Sequence, residues 1–254
     1  MENKDFAIFI MVYGRPEKNL TYDTLKKCGY TGKIYLVGDN ADDNIEGYKS
    51  KFGNDLLVFD KKDVSKKYDG GDNSGDLRST MYAANTIFDL AEQCGVKYFY
   101  IMCDDYYEFD YMFKDEIKGM KLCRNIDKIF DLTVNFYKTT NALSIAFSQT
   151  GDFIGGIDNA KGVYRFSKRK AMNSFLCSTE RRFNFMGRMN EDVTTYVNLG
   201  TKGELFLTIP VFAVNQKDTQ QVKKGLTEMY VDNGTYVKSM FSVIYNPSCV
   251  KASM

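Results

Sequence analysis

Near the middle of the chain an apolar run closes on two adjacent carboxylates, Tyr98-Phe99-Tyr100-Ile101-Met102-Cys103-Asp104-Asp105-Tyr106. The run is short, apolar and aromatic-rich, as a buried strand is. Two charges at the mouth of such a strand are costly unless something pairs with them. Mg²⁺ or Mn²⁺ would answer, since both take carboxylate oxygens and share the rest of their shell with water and phosphates. Asp104-Asp105 therefore predicts a metal–phosphate site at the carboxyl end of a strand, where open α/β sheets bind ligands. A solvated turn after a strand is the plainer alternative.

Other groups are placed to join that chemistry. Tyr13-Gly14-Arg15-Pro16 breaks the first apolar run, Phe6 to Val12. A tight turn there exposes backbone N–H groups and offers Arg15 to a phosphate, although ordinary turns have the same composition. Asp39 ends a second run, Lys33 to Val37, where a carboxylate meets a base or ribose hydroxyl or simply makes a turn with Asn40. Arg78 reads as a first-turn residue of a long helix, against the dipole, which points to the acid pair or a pyrophosphate as partner, or to a solvated arginine. Glu191-Asp192 opens a later helix; it supplies a base, binds acceptor hydroxyls, or merely caps the dipole. The polar stretch Asn215 to Gln220 follows a strand and is placed to complete a metal or phosphate site.

Composition removes several alternatives. The 254 residues contain no histidine, so no Ser-His-Asp triad, Cys-His dyad or histidine metal site can form. The six cysteines are scattered with no Cys-x-x-Cys pair, which fits reduced thiols in a cytoplasmic protein. No run of about 18 apolar residues predicts a membrane span, and the polar start Met1-Glu2-Asn3-Lys4-Asp5 does not read as a signal peptide. Net charge is +1, but Lys161, Arg165, Lys168, Arg169, Lys170, Arg181, Arg182 and Arg188 face only Glu180 in the same segment. Such an excess either meets phosphates, of a nucleotide or a nucleic-acid backbone, or forms a solvated surface.

The elements that must position these groups follow from periodicity. Strands are predicted at Phe6–Val12, Lys33–Val37, Asp55–Phe59 and 98–103. Helices are predicted at Asn19–Cys28, Ile45–Phe52 and Leu77–Cys94, with Gly29 and Gly95 closing two of them. Lys61 to Gly75 reads as a loop. This alternation is the βαβ pattern of a parallel sheet. Beyond Asp105 the pattern loosens: Phe113–Ile129 reads as helical, 142–147 and 205–214 as strands, 151–156 with 163–166 as a hairpin, 171–177 as a short helix or strand, and 190–199 as a helix. No linker divides the chain.

The order of these parts resembles the GT-A family of nucleotide-sugar glycosyltransferases, in which an Asp-x-Asp-type motif ends the nucleotide-binding half and a Glu-Asp-type motif follows on a later helix. Here the first of the three positions is Cys103. The resemblance implies a Rossmann-type α/β three-layer sandwich with a mostly parallel sheet, a nucleotide-binding half at about 1–106 and an acceptor half at about 107–254. It implies Asp105 as metal ligand, Asp104 at the ribose or sugar, and Asp192 as base in an inverting enzyme. The family's histidine ligand is missing, leaving Asn215 or Asp218 to replace it. Asp104-Asp105-Tyr106, Asn190-Glu191-Asp192-Val193-Thr194 and Gly234-Thr235-Tyr236-Val237-Lys238-Ser239 look like the TET-associated glycosyltransferases of bacteriophages. That likeness implies a UDP-sugar donor, Mn²⁺ or Mg²⁺, and hydroxymethyl pyrimidines of DNA as acceptor. A surface-glycan acceptor, or a nucleotide- or DNA-binding module without turnover, are the competing readings.

Overall fold

A computed structural model of the chain describes residues 2–112, 120–149, 171–217, 226–234 and 236–251. Its spine is a nine-stranded sheet of order β3-β2-β1-β4-β8-β7-β9-β5-β6. The first half is built as the periodicity predicts: β1 (Phe6–Met11), α1 (Leu20–Lys27), β2 (Lys33–Asp39), α2 (Ile45–Phe52), β3 (Leu56–Phe59), α3 (Lys61–Ser65), α4 (Met81–Gln93) and β4 (Tyr98–Met102). Strands β3, β2, β1 and β4 are parallel neighbours. Their continuous apolar character follows from burial on both faces. Along β1, Phe6, Ile8 and Ile10 pack with Leu25 of α1 and Tyr48 of α2, while Ala7 and Phe9 pack with Ile87, Phe88 and Ala91 of α4. The result is three layers, helix, sheet and helix.

Two expectations in this half change. Lys61 begins α3, a short helix that Asp60 caps by accepting from the Asp63 N–H at 2.8 Å, so only the rest of 61–75 is loop. The long helix begins at Met81, not Leu77. The Asp76 carboxylate accepts from the Arg78 N–H, and the Ser79 hydroxyl from the Met81 N–H, holding these residues in turns ahead of the helix.

The second half contains β5 (Tyr106–Met112), β6 (Met120–Leu122), α5 (Ile126–Lys138), β7 (Ser144–Gln149), β8 (Phe175–Ser178), α6 (Glu191–Thr201), β9 (Phe206–Gln216), α7 (Leu226–Asn233) and α8 (Val237–Tyr245). The helix expected over Phe113–Ile129 is corrected: β6 and the start of α5 occupy its described part. Residues 171–177 resolve in favour of a strand, β8, which runs antiparallel to β4. The hairpin expected at 151–156 and 163–166 lies outside the described residues. Among the described residues no helix is long and apolar enough to cross a membrane.

The sheet curls. Only Cys103, Asp104 and Asp105 separate β4 from β5, yet β8, β7 and β9 lie between them in the sheet. Four flat spacings of about 4.8 Å would need roughly 19 Å, whereas the link from Met102 to Tyr106 spans at most about 14 Å. The bend lies in β9. Its register against β7 jumps from Phe147↔Ile209 to Ser148↔Ala213, a bulge containing Pro210, which donates no ladder hydrogen bond. Beyond it β9 pairs antiparallel with β5 and returns to the acid pair, with the Lys217 N–H 3.4 Å from the Asp105 carbonyl.

Candidate functional site

Ile10 pairs with Met102, so the segments leaving β1 and β4 emerge side by side. The Arg15 Nη2 donates to Asp104 Oδ1 at 2.6 Å. The turn before it is closed rather than open: the Gly14 N–H, at φ 72°, donates to Asp42 and the Arg15 N–H to the Tyr48 hydroxyl. The free backbone donors expected at Tyr13-Gly14-Arg15 are therefore partly used, and the guanidinium is the group left for a phosphate. Helix α1 pins the acid pair from below. Asn19 caps it, and the Thr21 hydroxyl donates to the Cys103 carbonyl at 2.6 Å while accepting from the Tyr106 N–H at 2.9 Å.

Buried polar atoms without partners gather at this mouth. Arg15 Nε, Asn19 Nδ2, Asp104 Oδ2, Asp105 Oδ1 and Asn173 Nδ2 all lie around the ends of β1 and β4. Natural proteins satisfy nearly all buried polar groups, so such a concentration marks where a ligand completes the bonding. Burial raises the Asp104 carboxyl to about 7, with Arg15 opposing and Asp105 adding to the rise. Burial raises Asp105 as well. Two desolvated carboxylates share one guanidinium, and two of their oxygens are unpartnered. That donor set fits a hard divalent cation. Among the described residues no third Asp, Glu or Cys joins them as a metal cage. Asp218 lies outside the described residues. Asn215 is committed elsewhere, donating to buried Asp110 at 2.5 Å.

The second acid pair lines a small cleft with Cys103, the residue before the first pair, and with Asn173, Phe175 and Phe185. Glu191 is half-buried and accepts from the Thr80 hydroxyl. Burial, then the Asp192 charge, raise its carboxyl to about 7, and the helix N-terminus does not offset this. Asp192 accepts from the Val193 N–H at 2.7 Å and stands at the cleft. Asn190 does not cap α6 through its side chain; it holds φ 57° and donates to the Ser242 hydroxyl. Tyr230 of α7 closes in from the C-terminal side, its phenol pushed up by burial and then by the charges of Glu191, Asp192 and Cys103.

Asp39 lies at the end of β2, paired with Lys61 at 2.8 Å and accepting from the Ala41 N–H, so the turn reading and a charged partner both hold. Lys61 also stands 4.9 Å over the Tyr13 ring. Arg78 is not the partner of the first acid pair. It binds Asp76 and reaches Asp232 of α7 at 2.7 Å. The basic segment also changes. Arg181 stacks on Tyr137 and donates to backbone carbonyls, Arg182 pairs with Asp89 and Glu92, and Arg188, 4% exposed, binds Asp72 and Asp76. The remaining cations, 161–170, lie outside the described residues.

Sequence reasoning did not single out Lys61, Thr80, Asn173 or Tyr230. Each reaches the site only through tertiary structure. A cap-like Thr before a helix is the one local signal, and it is weak.

The layers and the strand-end acid site define an α/β protein of the GT-A type. Of solved structures, glucosyl-3-phosphoglycerate synthase from Mycobacterium tuberculosis in complex with Mn²⁺, UDP and phosphoglyceric acid aligns over 93% of this chain and 78% of its own, with TM-score 0.50 and 9% identity. The same enzyme in complex with Mg²⁺ and UDP aligns over 93% and 79%, with TM-score 0.49 and 8% identity. The likeness to the first concerns the fold. No curated protein sequence matches the chain. The model of the TET-associated glycosyltransferases matches residues 6–225, and the chain belongs to that family. It is a glycosyltransferase.

Proposed function

We propose that the chain transfers a sugar from a UDP-sugar to the hydroxymethyl group of a pyrimidine in DNA, with Mg²⁺ or Mn²⁺ at Asp105 and Asp104. The observation that carries the donor reading is the cluster of unpartnered buried groups at Arg15, Asp104 and Asp105, with a second acid pair at the cleft beside Cys103. Tyr13, exposed at the strand mouth and flanked by Lys61, offers a face for the base, and Asp39 a carboxylate for the ribose. Arg15 turns its Nε toward the diphosphate. The cation held by the two aspartates would supply charge neutralisation for the departing nucleoside diphosphate. Asp192 accepts the proton of the acceptor hydroxyl in an inverting transfer, and Glu191, its carboxyl raised to about 7, is held beside it by the Thr80 hydroxyl.

UDP-sugar hydrolysis with and without Mn²⁺ tests the donor half. Wild-type turnover should need the ion, and Asp105→Ala should abolish that need along with most activity; unchanged turnover in the variant removes the metal role. One observation favours a second acceptor, a neutral surface glycan: Arg181, Arg182 and Arg188 are spent on internal partners. Acceptor binding that falls steeply with salt supports DNA, and binding indifferent to salt supports the glycan.

A further inference from the structure

Asn173 holds a backbone conformation that costs stability, and its amide nitrogen has no hydrogen-bond acceptor among the described residues. Its φ is 64°, in the left-handed region, where a side chain other than glycine is strained by about 1 kcal/mol and asparagine is among the few that tolerate it. The conformation is imposed from both sides. The hydroxyl of fully buried Tyr106 donates to the Asn173 carbonyl at 2.8 Å. The next residue, Ser174, is also fully buried; its N–H donates to the Met172 carbonyl at 2.8 Å, and its hydroxyl accepts from the Phe147 N–H at 3.0 Å. Residues locked in sparse backbone regions by their surroundings cluster at ligand sites.

The position of the amide says which part of a ligand it meets. The antiparallel register Ile101↔Phe175, carried on two residues, sets Asn173 abreast of Cys103, immediately before the acid pair. Its side chain lines the same cleft as Glu191 and Asp192, and Nδ2 is buried there without an acceptor. On the donor reading above, on which this inference rests, the diphosphate lies at Asp104-Asp105 and the acceptor hydroxyl at Asp192. On that reading the cleft beside Cys103, which Asp192 also lines, is where the transferred sugar would be placed. The other walls of the cleft are Met11, Ala84, Ile101, Cys103, Phe175 and Phe185, which offer a hydroxyl no strong donor, while the two acids offer only acceptors when charged. Asn173 is thus the neutral amide donor among the lining side chains.

We propose that Asn173 is a specificity-determining residue: its Nδ2 donates to a hydroxyl of the transferred sugar and selects among UDP-sugars. An asparagine that strains the backbone and leaves its own amide nitrogen unpaired is hard to explain by stability alone, and such local losses are characteristic of functional sites.

The test uses Asn173→Gly, which keeps the left-handed backbone and removes the amide, and Asn173→Asp, which keeps the shape and replaces the donor with an acceptor. Affinities for UDP and for UDP-glucose, UDP-galactose and UDP-N-acetylglucosamine are measured by calorimetry, and each is assayed for hydrolysis. Asn173→Gly should melt at or above the wild-type temperature and bind UDP within about twofold. Its affinity for the sugar nucleotide that wild type prefers should fall about tenfold, the loss of one buried hydrogen bond. Asn173→Asp should lose at least as much, since it brings a third carboxylate to Glu191 and Asp192, and the preference among the three sugars should flatten in both. A glycine variant that binds and discriminates UDP-sugars as wild type does overturns the inference. So does a wild-type chain that binds UDP but gains nothing from any sugar. A wild-type chain that fails to bind UDP overturns the donor reading itself, and this inference with it.

Discussion

At the residue scale the site is a set of charges held where water is scarce. Burial raises Asp105, so the folded chain carries its charge at a cost. Asp105→Asn should leave the urea midpoint equal to or above wild type while UDP-sugar hydrolysis loses its response to Mn²⁺; a destabilised variant would mean that the carboxylate serves the fold. Glu191 gives a pH prediction. Its carboxyl lies near 7 in the folded chain against an ordinary 4.5. Below about 4.5 it is neutral in both states and its contribution to stability is fully present; that contribution is lost as pH rises through about 7. Glu191→Gln has no such loss, so the stability of the variant relative to wild type should grow between pH 4.5 and 7. Urea denaturation at pH 4.5, 6 and 8 checks this, and a constant gap would show that the carboxyl is not held up. The acid pairs were legible because adjacent charges after an apolar run stand out. Asn173 was not, since nothing in Met172-Asn173-Ser174 announces a left-handed backbone; Tyr106 and Ser174 impose it through hydrogen bonds across the sheet. Arg78 was misjudged by its distance from a helix start that Asp76 and Ser79 delay.

At the scale of elements, α7 is fastened by two arginines of unequal weight, Arg188 and Arg78. Arg188 is almost fully buried between Asp72 and Asp76, and its Nη1 also contacts the Met229 sulfur of α7. Removing one partner of a buried pair leaves uncompensated charge, so Arg188→Ala should cost about 3 kcal/mol or more. The Arg78–Asp232 pair is exposed, and Asp232→Ala should cost under about 1 kcal/mol. Guanidinium denaturation of both variants checks the ranking, and equal losses would contradict it. Strands β1 to β4 were readable because burial on both faces makes each a continuous apolar run. Strand β5 carries Glu108 and Asp110 within Tyr106–Met112 and gives no such signal. Strand β8 is only four residues long. Their partners are remote in sequence, so pairing rather than composition makes them strands.

For the whole molecule, the near-zero net charge hides how its cations are spent. Arginines 181, 182 and 188 looked from the sequence like part of a phosphate-binding face, yet the fold consumes them internally. If DNA is the acceptor, its phosphates are met by the cations of 161–170. Replacing Lys168, Arg169 and Lys170 with alanine should then lower the slope of log K against log salt by roughly 0.7 to 0.9 for each phosphate left without its cation. Arg182→Ala should leave that slope as it is. Fluorescence titrations of a hydroxymethylated duplex at several salt concentrations decide between them, and equal slopes in all three proteins would remove the basic segment from acceptor binding. The parallel half and its acid-bearing strand end were visible in the sequence, but the closure of the sheet upon itself was not. Closure depends on the bulge at Pro210, and a lone proline near a strand is compatible with many outcomes.

The three residues between β4 and β5 also act as a ruler. Cys103, Asp104 and Asp105 bridge strands that three others separate in the sheet, and Thr21 holds the bridge at both ends. One added residue would give the link slack, part the Thr21 bonds and move two charged side chains at once; one removed would pull against the bulge in β9. A change of length here is therefore costlier than one in the surface connections. The spacing of the acid pair from its two strands is a fixed dimension of this fold, set by backbone length rather than by the residue types within it.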